Sequence, residues 1–74
     1  MHQQDELAQM FATLMAHRRR VRKVTLSGLA RDIGLGEGGH SHLSRIERGL
    51  LVPSFPLGLV IASALEMDLE ALKP

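Results

Sequence analysis

Basic side chains are concentrated in one short segment of the sequence. Five of the nine lysine and arginine residues lie between Arg18 and Lys23, although the net charge of the chain is only +1. Acidic residues lie mainly toward the two ends, so the charge distribution is asymmetric, which is typical of a face that binds a polyanion. Cations near the end of a helix also complement the helix dipole. The charge pattern alone favours neither interpretation.

A second group of polar side chains lies between residues 40 and 48. His40 and His42 are two residues apart, so they point in different directions on a helix, and no further ligand lies at metal-binding spacing. We therefore expect no metal site. Ser44 lies beside these histidines, but nothing in the chain supplies an oxyanion hole, so we expect neither catalytic residues nor an enzyme.

Three glycines have the spacing of the GxGxxG dinucleotide-binding motif. They are Gly34, Gly36 and Gly39. That motif works between a strand and a helix of a βαβ unit, whereas here a helix is predicted before it. We expect no nucleotide, no other cofactor and no small-molecule ligand.

The length of 74 residues predicts a single domain over residues 1–74. Cysteine is absent, which excludes disulfides and thiolate metal sites and fits a reducing compartment. The longest apolar stretch, around residues 57–65, is shorter than the roughly 18 residues of a membrane span, and the N-terminus has no signal-peptide core. We therefore expect a cytoplasmic protein with no membrane partner. So short a chain needs close helix packing or a second subunit.

Apolar residues recur at helical spacing along most of the chain and do not alternate strictly, which predicts an all-α fold. Capping residues and glycines divide the chain into five helices. The predicted helices run from about Gln4 to Arg20, from the cap Thr25 to Gly34, from about His40 to Arg48, from the cap Ser54 with Pro56 in its first turn through Leu65, and from Asp68 through Leu72. The segment 36–39 is predicted to be a loop.

Several motifs in this order resemble the Xre/Cro-like helix-turn-helix family, which includes small phage and plasmid repressors. They cover about two-thirds of the chain and comprise Thr25, Leu29-Ala30 and Gly34, then Leu43 to Gly49, then Pro53-Ser54, Ile61-Ala62, Leu65, Leu69 and Leu72. The resemblance implies a compact five-helix, lambda-repressor-like domain. Two features depart from the family. Leu26 stands where a polar residue is frequent, and about three additional residues, around 36–38, either enlarge the turn or form a loop that contacts DNA or a partner.

The resemblance implies a transcriptional repressor that binds double-stranded DNA through the helix beginning near His40. The residues that we assign to base readout in the major groove are His40, Ser41, His42 and Arg45. The residues that we assign to phosphate contacts are Arg22, Lys23, Thr25, Ser27, Ser44 and Arg48. Phosphate would repel Glu47, and the resemblance implies that this residue pairs with Arg18 or Arg19 on the first helix; we assign Arg19.

An apolar stripe on the fourth helix predicts a second subunit. Its residues lie on a different face from those expected in the core, and the preceding connection adds apolar surface. The predicted interface comprises Leu50, Leu51, Leu57, Val60 and Ala64. We therefore expect a two-fold homodimer that binds a near-palindromic site. Gly58 interrupts the core stripe, which indicates either a close helix contact or a mildly destabilising surface glycine.

Two other functions are compatible with the sequence. An antitoxin of this type would bind a toxin as well as DNA, but it usually carries an additional segment, and only Lys73 and Pro74 follow the predicted fifth helix. The second alternative is a helical protein-interaction module that does not bind DNA. Such a module would not need the basic run.

Overall fold

The computed structural model describes residues 3–68, with side chains from residue 6 onward, and this part of the chain is all-helical. Its helices are α1 (Gln3–Val21), α2 (Leu26–Asp32), α3 (Gly39–Glu47) and α4 (Phe55–Leu65), and residues 3–68 contain no strand. The prediction of an all-α fold is confirmed, and these four helices lie close to their predicted bounds. The predicted fifth helix, beyond Asp68, lies outside the described residues. No helix within 3–68 could span a lipid bilayer.

A single apolar core joins the four helices. The largest fully buried side chains come from every helix, and they are Met15, Leu29, Leu43, Ile46, Ile61 and Leu65. α3 packs against both α1 and α2, while α4 packs against α1. The Cα radius of gyration is 11.5 Å, as expected for a compact domain of this size. Because α1 and α2 both pack against α3, these contacts determine which side of α3 faces solvent.

Side-chain hydroxyl groups cap α2 and α4, as predicted. The Thr25 Oγ1 accepts a hydrogen bond from the backbone N–H of Gly28 (2.9 Å), and the Ser54 Oγ accepts one from that of Leu57 (3.3 Å). Pro56 lies in the first turn of α4, where the missing N–H removes no helical hydrogen bond. Each hydroxyl satisfies an N–H group that the helix leaves unpaired, which typically stabilises a helix by about 1 kcal/mol.

All four helices end in a Schellman motif. At the C-terminal end of each helix, one residue has a left-handed backbone conformation. The backbone N–H of the next residue donates to the carbonyl of the residue five positions earlier. The left-handed residues are Lys23 (φ 57°), Gly34 (φ 77°), Gly49 (φ 75°) and Glu66 (φ 54°). Gly34 and Gly49 therefore end α2 and α3 as predicted. The two charged residues adopt a conformation that is less strained for glycine.

The additional glycine-rich residues lie within the turn between α2 and α3. This connection comprises residues 33–38, and Gly34, Gly36 and Gly38 are all left-handed (φ 77°, 71° and 80°). Leu35 packs against the core, whereas a Cβ at any of the three glycines would have no heavy atom within 4 Å. The additional residues therefore lengthen the turn between α2 and α3.

Gly39 allows α3 to approach α2 closely. It is the first residue of α3, one position before the predicted start, and it is buried. A Cβ at Gly39 would lie 2.7 Å from the Cβ of Leu35 and 3.1 Å from the Cβ of Ala30. Both of these atoms are attached directly to the backbone, so they cannot move aside by a change of rotamer. The side-chain volume at this position thus limits how closely the two helices pack.

The packing of α4 divides the residues of the predicted dimer interface into half-buried and exposed ones. Leu57 shares a face with Ile61 and Leu65 at four-residue spacing, is half-buried, and packs against the core. Leu51 packs against the same core from the connection. The exposed members of the predicted interface are Leu50, Val60 and Ala64. Because α4 is apolar on most of its surface, periodicity alone does not separate its buried face from its flanks.

Gly58 does not mark a close helix contact. A Cβ at this position would lie 3.8 Å from the Cγ of Pro53 and 4.0 Å from the Cε2 of Phe11, which are ordinary van der Waals distances. The structure therefore favours the interpretation of Gly58 as a mildly destabilising glycine, since a glycine within a helix weakens the helix when no close contact requires it.

Two glycine-to-alanine substitutions are expected to change stability in opposite directions. Gly39→Ala adds a Cβ that collides with Leu35 and Ala30, so we expect the free energy of unfolding to fall by about 1–3 kcal/mol. Gly58→Ala adds a Cβ at contact distance within a helix, so we expect that free energy to rise by up to about 1 kcal/mol. Urea unfolding followed by circular dichroism measures both changes. A Gly39→Ala protein as stable as the parent would contradict the close approach of α2 and α3.

Candidate nucleic-acid interface

A bidentate ion pair fixes α3 against α1. The Nε and Nη2 atoms of Arg19 donate to Oε2 and Oε1 of Glu47 over 2.8 and 2.7 Å, and Nη1 donates to the carbonyl of Val24 over 3.0 Å. The side chains of Arg19 and Glu47 are only 20% and 12% exposed. One guanidinium group thus connects α1, the segment before α2, and α3. Of the two candidate partners for Glu47, the structure places Arg19 in contact with it.

The bidentate contact with Glu47 stabilises the positive charge of Arg19. The hydrogen bonds with Glu47 raise the pKa of Arg19 above its ordinary value, burial opposes that change, and the negative charge of Glu47 adds to it. The favourable interactions exceed the cost of burial. The contact with Glu47 therefore favours the charged form of Arg19, which connects two helices.

Arg18 has a different partner. Its Nε donates to the carbonyl of Leu65 over 3.1 Å, at the C-terminal end of α4. A cation at this position satisfies a carbonyl that the helix leaves unpaired and complements the helix dipole. Arg18 therefore connects α1 to α4, next to the residue that connects α1 to α3.

The exposed face of α3 carries hydroxyl and basic side chains. Ser41, Arg45 and Arg48 follow at spacings of four and three residues, which places them on one side of the helix, and all three are exposed. Glu47 is the only acidic residue of α3, and its carboxylate contacts Arg19. The exposed side of α3 therefore presents hydrogen-bond donors and positive charge without a carboxylate of its own.

The two histidines of α3 lie on different flanks. His40 lines a hollow together with Ser27 and Arg31 of α2 and the left-handed glycines of the turn, whereas His42 lines a separate hollow that includes Glu37. Both histidines are exposed. Their positions in the sequence predict a shared role because both lie in the first turns of one helix. The structure brings His40 toward α2 and His42 toward an acidic residue of the turn.

Arg31 is a candidate site residue that the sequence analysis does not identify. It lies in the last turn of α2, four residues after Ser27, and it is exposed at the same hollow as His40. The spacing from Ser27 is a signal that was available in the sequence. The hollow could not be predicted from the sequence, because its shape depends on the positive φ angles of the turn glycines.

The basic run divides into residues bound within the chain and residues that face solvent. Arg18 and Arg19 have the partners described above, and the Nη1 of Arg22 pairs with the Oε2 of Glu66 over 2.8 Å. Arg20 and Lys23 are exposed, and neither side chain forms a hydrogen bond or ion pair with the described part of the chain. The predicted phosphate contact of Arg22 therefore competes with an intramolecular ion pair.

The other predicted phosphate ligands are distributed over two regions. Lys23, Thr25 and Ser27 are exposed at and before the start of α2, where the Thr25 hydroxyl also serves as the N-cap. Arg48 is exposed at the end of α3, and Ser44 is half-buried in the middle of that helix. Within residues 3–68, no hydrogen bond joins any of these side chains to another. They border the α2–α3 surface but do not form one cluster.

No protein-family model, curated protein or solved structure matches the chain. Across the residues that the structure describes, no three histidine or acidic side chains come together as a possible metal site.

Loss of the Arg19–Glu47 pair is expected to destabilise the fold. Glu47→Ala leaves a largely covered guanidinium without its anion, so we expect the free energy of unfolding to fall by about 1–3 kcal/mol, between the ranges for exposed and buried pairs. Urea unfolding of Glu47→Ala, of Arg19→Ala and of the double variant gives the coupling energy between the two side chains.

The matched control is Arg22→Ala, which removes an ion pair whose Glu66 side chain is 68% exposed. It is expected to cost less than about 1 kcal/mol. If Glu47→Ala kept full stability but changed base preference on DNA, the role of Glu47 would lie in recognition and the structural assignment would fail.

Proposed function

We propose that this chain is a helix-turn-helix DNA-binding domain of the lambda-repressor-like, five-helix type, similar to the Xre/Cro-like family, and that it represses transcription. The distribution of charge on α3 carries the proposal. Its only carboxylate, on Glu47, is directed at Arg19, while Ser41, Arg45 and Arg48 remain exposed. Duplex DNA has a dense array of negative phosphates, so a helix that enters its major groove must keep carboxylates away from the backbone.

Base recognition in this proposal is centred on α3. Arg45 offers the planar fork that pairs with the O6 and N7 atoms of guanine, and Ser41, one turn earlier on the same side, can donate to or accept from a base edge. His40 and His42 border this centre on opposite flanks. Only one of the two flanks adjoins the α2 surface, so we expect His40 to contribute more than His42.

Phosphate binding in this proposal uses exposed cations and hydroxyl groups on both sides of α3. Lys23, Ser27 and Arg31 are exposed on the α2 side, and Arg48 is exposed at the end of α3. Such contacts set the position of a protein on DNA without reading its sequence. Arg31 joins the set assigned from the sequence, whereas Arg22 would have to leave Glu66 before it could contact a phosphate.

Repressors of this type act on two-fold symmetric sites. Two copies of α3 would enter successive major grooves on one side of the duplex, about 34 Å apart, so the operator is expected to be near-palindromic. Each copy of the chain presents one α3 surface, and a homodimer doubles the buried contact with DNA. Binding by a single copy would be correspondingly weaker.

A helical protein-interaction module is the second candidate. The observation in its favour is that Arg18, Arg19 and Arg22 all have partners within the chain, so most of the basic run has a structural explanation without DNA. An absence of DNA binding at low salt, for any duplex sequence, would favour this candidate. Selection of bound sites from random duplex DNA tests both and also reports the operator and its symmetry.

Arg45→Ala is expected to reduce specific binding and to relax the preference at one base pair. Loss of a bidentate contact with guanine typically costs about 1–3 kcal/mol, which is roughly a 5- to 150-fold rise in the dissociation constant. Fluorescence anisotropy on the selected operator, and on operators substituted at single positions, measures both effects. Arg20→Ala is the control, since it removes an exposed arginine from a different helix. Equal losses for the two variants would argue against base readout by Arg45.

Lys23→Gly is expected to increase stability and to weaken DNA binding. Glycine adopts the left-handed conformation of residue 23 with less strain, so the free energy of unfolding should rise by about 1 kcal/mol. Loss of a phosphate contact should weaken binding equally for all sequences and reduce the slope of log K against log salt by about 1. A variant that is more stable but binds DNA with unchanged salt dependence would remove Lys23 from the interface.

A further inference from the structure

An apolar groove lies between the first half of α1 and the start of α4. Its volume is about 310 Å³, and its lining includes Leu7, Phe11, Val52, Phe55 and Leu59. No residue of the lining is charged. Half of the large apolar side chains that the described chain leaves exposed belong to this lining. Soluble proteins rarely leave such patches uncovered unless the patch binds something.

The groove and a side chain that would fill it belong to the same surface. Phe55 lies at the start of α4 and is 78% exposed, the largest exposed fraction among the large apolar residues of the described chain. An apolar cavity of about 150 Å³ is sufficient for a benzene molecule, so the groove has room for a phenylalanine ring. The surface therefore carries both a protruding aromatic ring and a hollow that fits one.

The absence of charge favours self-association over other partners. In a two-fold interface, each group near the axis meets its own copy, so charged residues there would face like charges. The groove lining avoids this repulsion, and it offers no cation for nucleic acid and no charged anchor for a charged peptide. A patch that contains its own complementary ring needs no second protein to supply one.

We propose that the groove binds Phe55 of a second copy of this chain, with the two copies exchanging rings across a two-fold axis. This inference deepens the proposed function, since it names the surface through which the homodimer forms. No residue of the groove belongs to α2 or α3, so this contact uses none of the α2 and α3 residues assigned to DNA binding. In this proposal the groove takes the place of the interface predicted from the stripe of Leu57, Val60 and Ala64.

Sedimentation equilibrium of the full chain at micromolar concentration, without DNA, tests the proposal. The parent protein is expected to dimerise, and Phe55→Ser is expected to raise the dimer dissociation constant at least tenfold, since central aromatic residues typically dominate such interfaces and each dimer loses two rings (about 1.4 kcal/mol or more). Because Phe55 is mostly exposed in the single chain, the variant should keep its helical circular dichroism.

Leu59→Ser and Val60→Ser provide a matched pair. The two residues are adjacent and equally exposed at 44%, but only Leu59 lines the groove. Leu59→Ser is expected to weaken the dimer, and Val60→Ser is expected to leave it nearly unchanged. This pair of variants tests the groove even if the Phe55→Ser protein fails to fold.

Three results would overturn the proposal: a parent protein that stays monomeric, a Phe55→Ser dimer as tight as the parent, or equal weakening by Leu59→Ser and Val60→Ser. Because DNA is absent, these results are independent of the proposed function. A dimer that depends on Phe55 but binds no DNA would support the groove and contradict the repressor.

Discussion

The guanidinium of Arg19 is the group on which the arrangement of the helices depends. It binds Glu47 through two hydrogen bonds and the Val24 carbonyl through a third, so it determines how α3 is rotated relative to α1. Apolar contacts alone would permit small rotations of α3 about its own axis. A rotation that exposed Glu47 would break two charge-assisted hydrogen bonds and leave Arg19 without its anion. The Arg19–Glu47 ion pair on one side of α3 thus determines which side of the helix is exposed.

The sequence predicts those features of the fold that depend on neighbouring residues. The Thr25 and Ser54 caps involve groups three residues apart, and Gly34 and Gly49 end their helices because glycine tolerates a positive φ. These interactions are visible in any short window. The α1 to α4 helices could therefore be placed before the structure was known, with errors of a residue or so at their ends.

Features that depend on distant residues could not be predicted in the same way. Arg18 and its carbonyl partner are 47 residues apart, and nothing local in the sequence distinguishes Arg18 from its neighbours in the basic run. Leu57 looks as exposed as Val60 in the apolar pattern of α4, yet it packs against the core because of where α1 lies. A cluster of like charges in a sequence can therefore serve several helix contacts and identifies a ligand poorly. Only the structure separates the basic residues that have partners within the chain from those that face solvent.

The residues that hold α3 and the residues that it exposes are different sets on one short helix. Gly39, Leu43, Ile46 and Glu47 face the rest of the domain, whereas the side chains of Ser41, Arg45 and Arg48 form no hydrogen bond or ion pair within residues 3–68. The outer set can be replaced without a change in core volume or in the ion pair. Descendants of this chain, or designed variants, can therefore change the chemistry of the outer side of α3 on an unchanged scaffold without passing through an unstable intermediate.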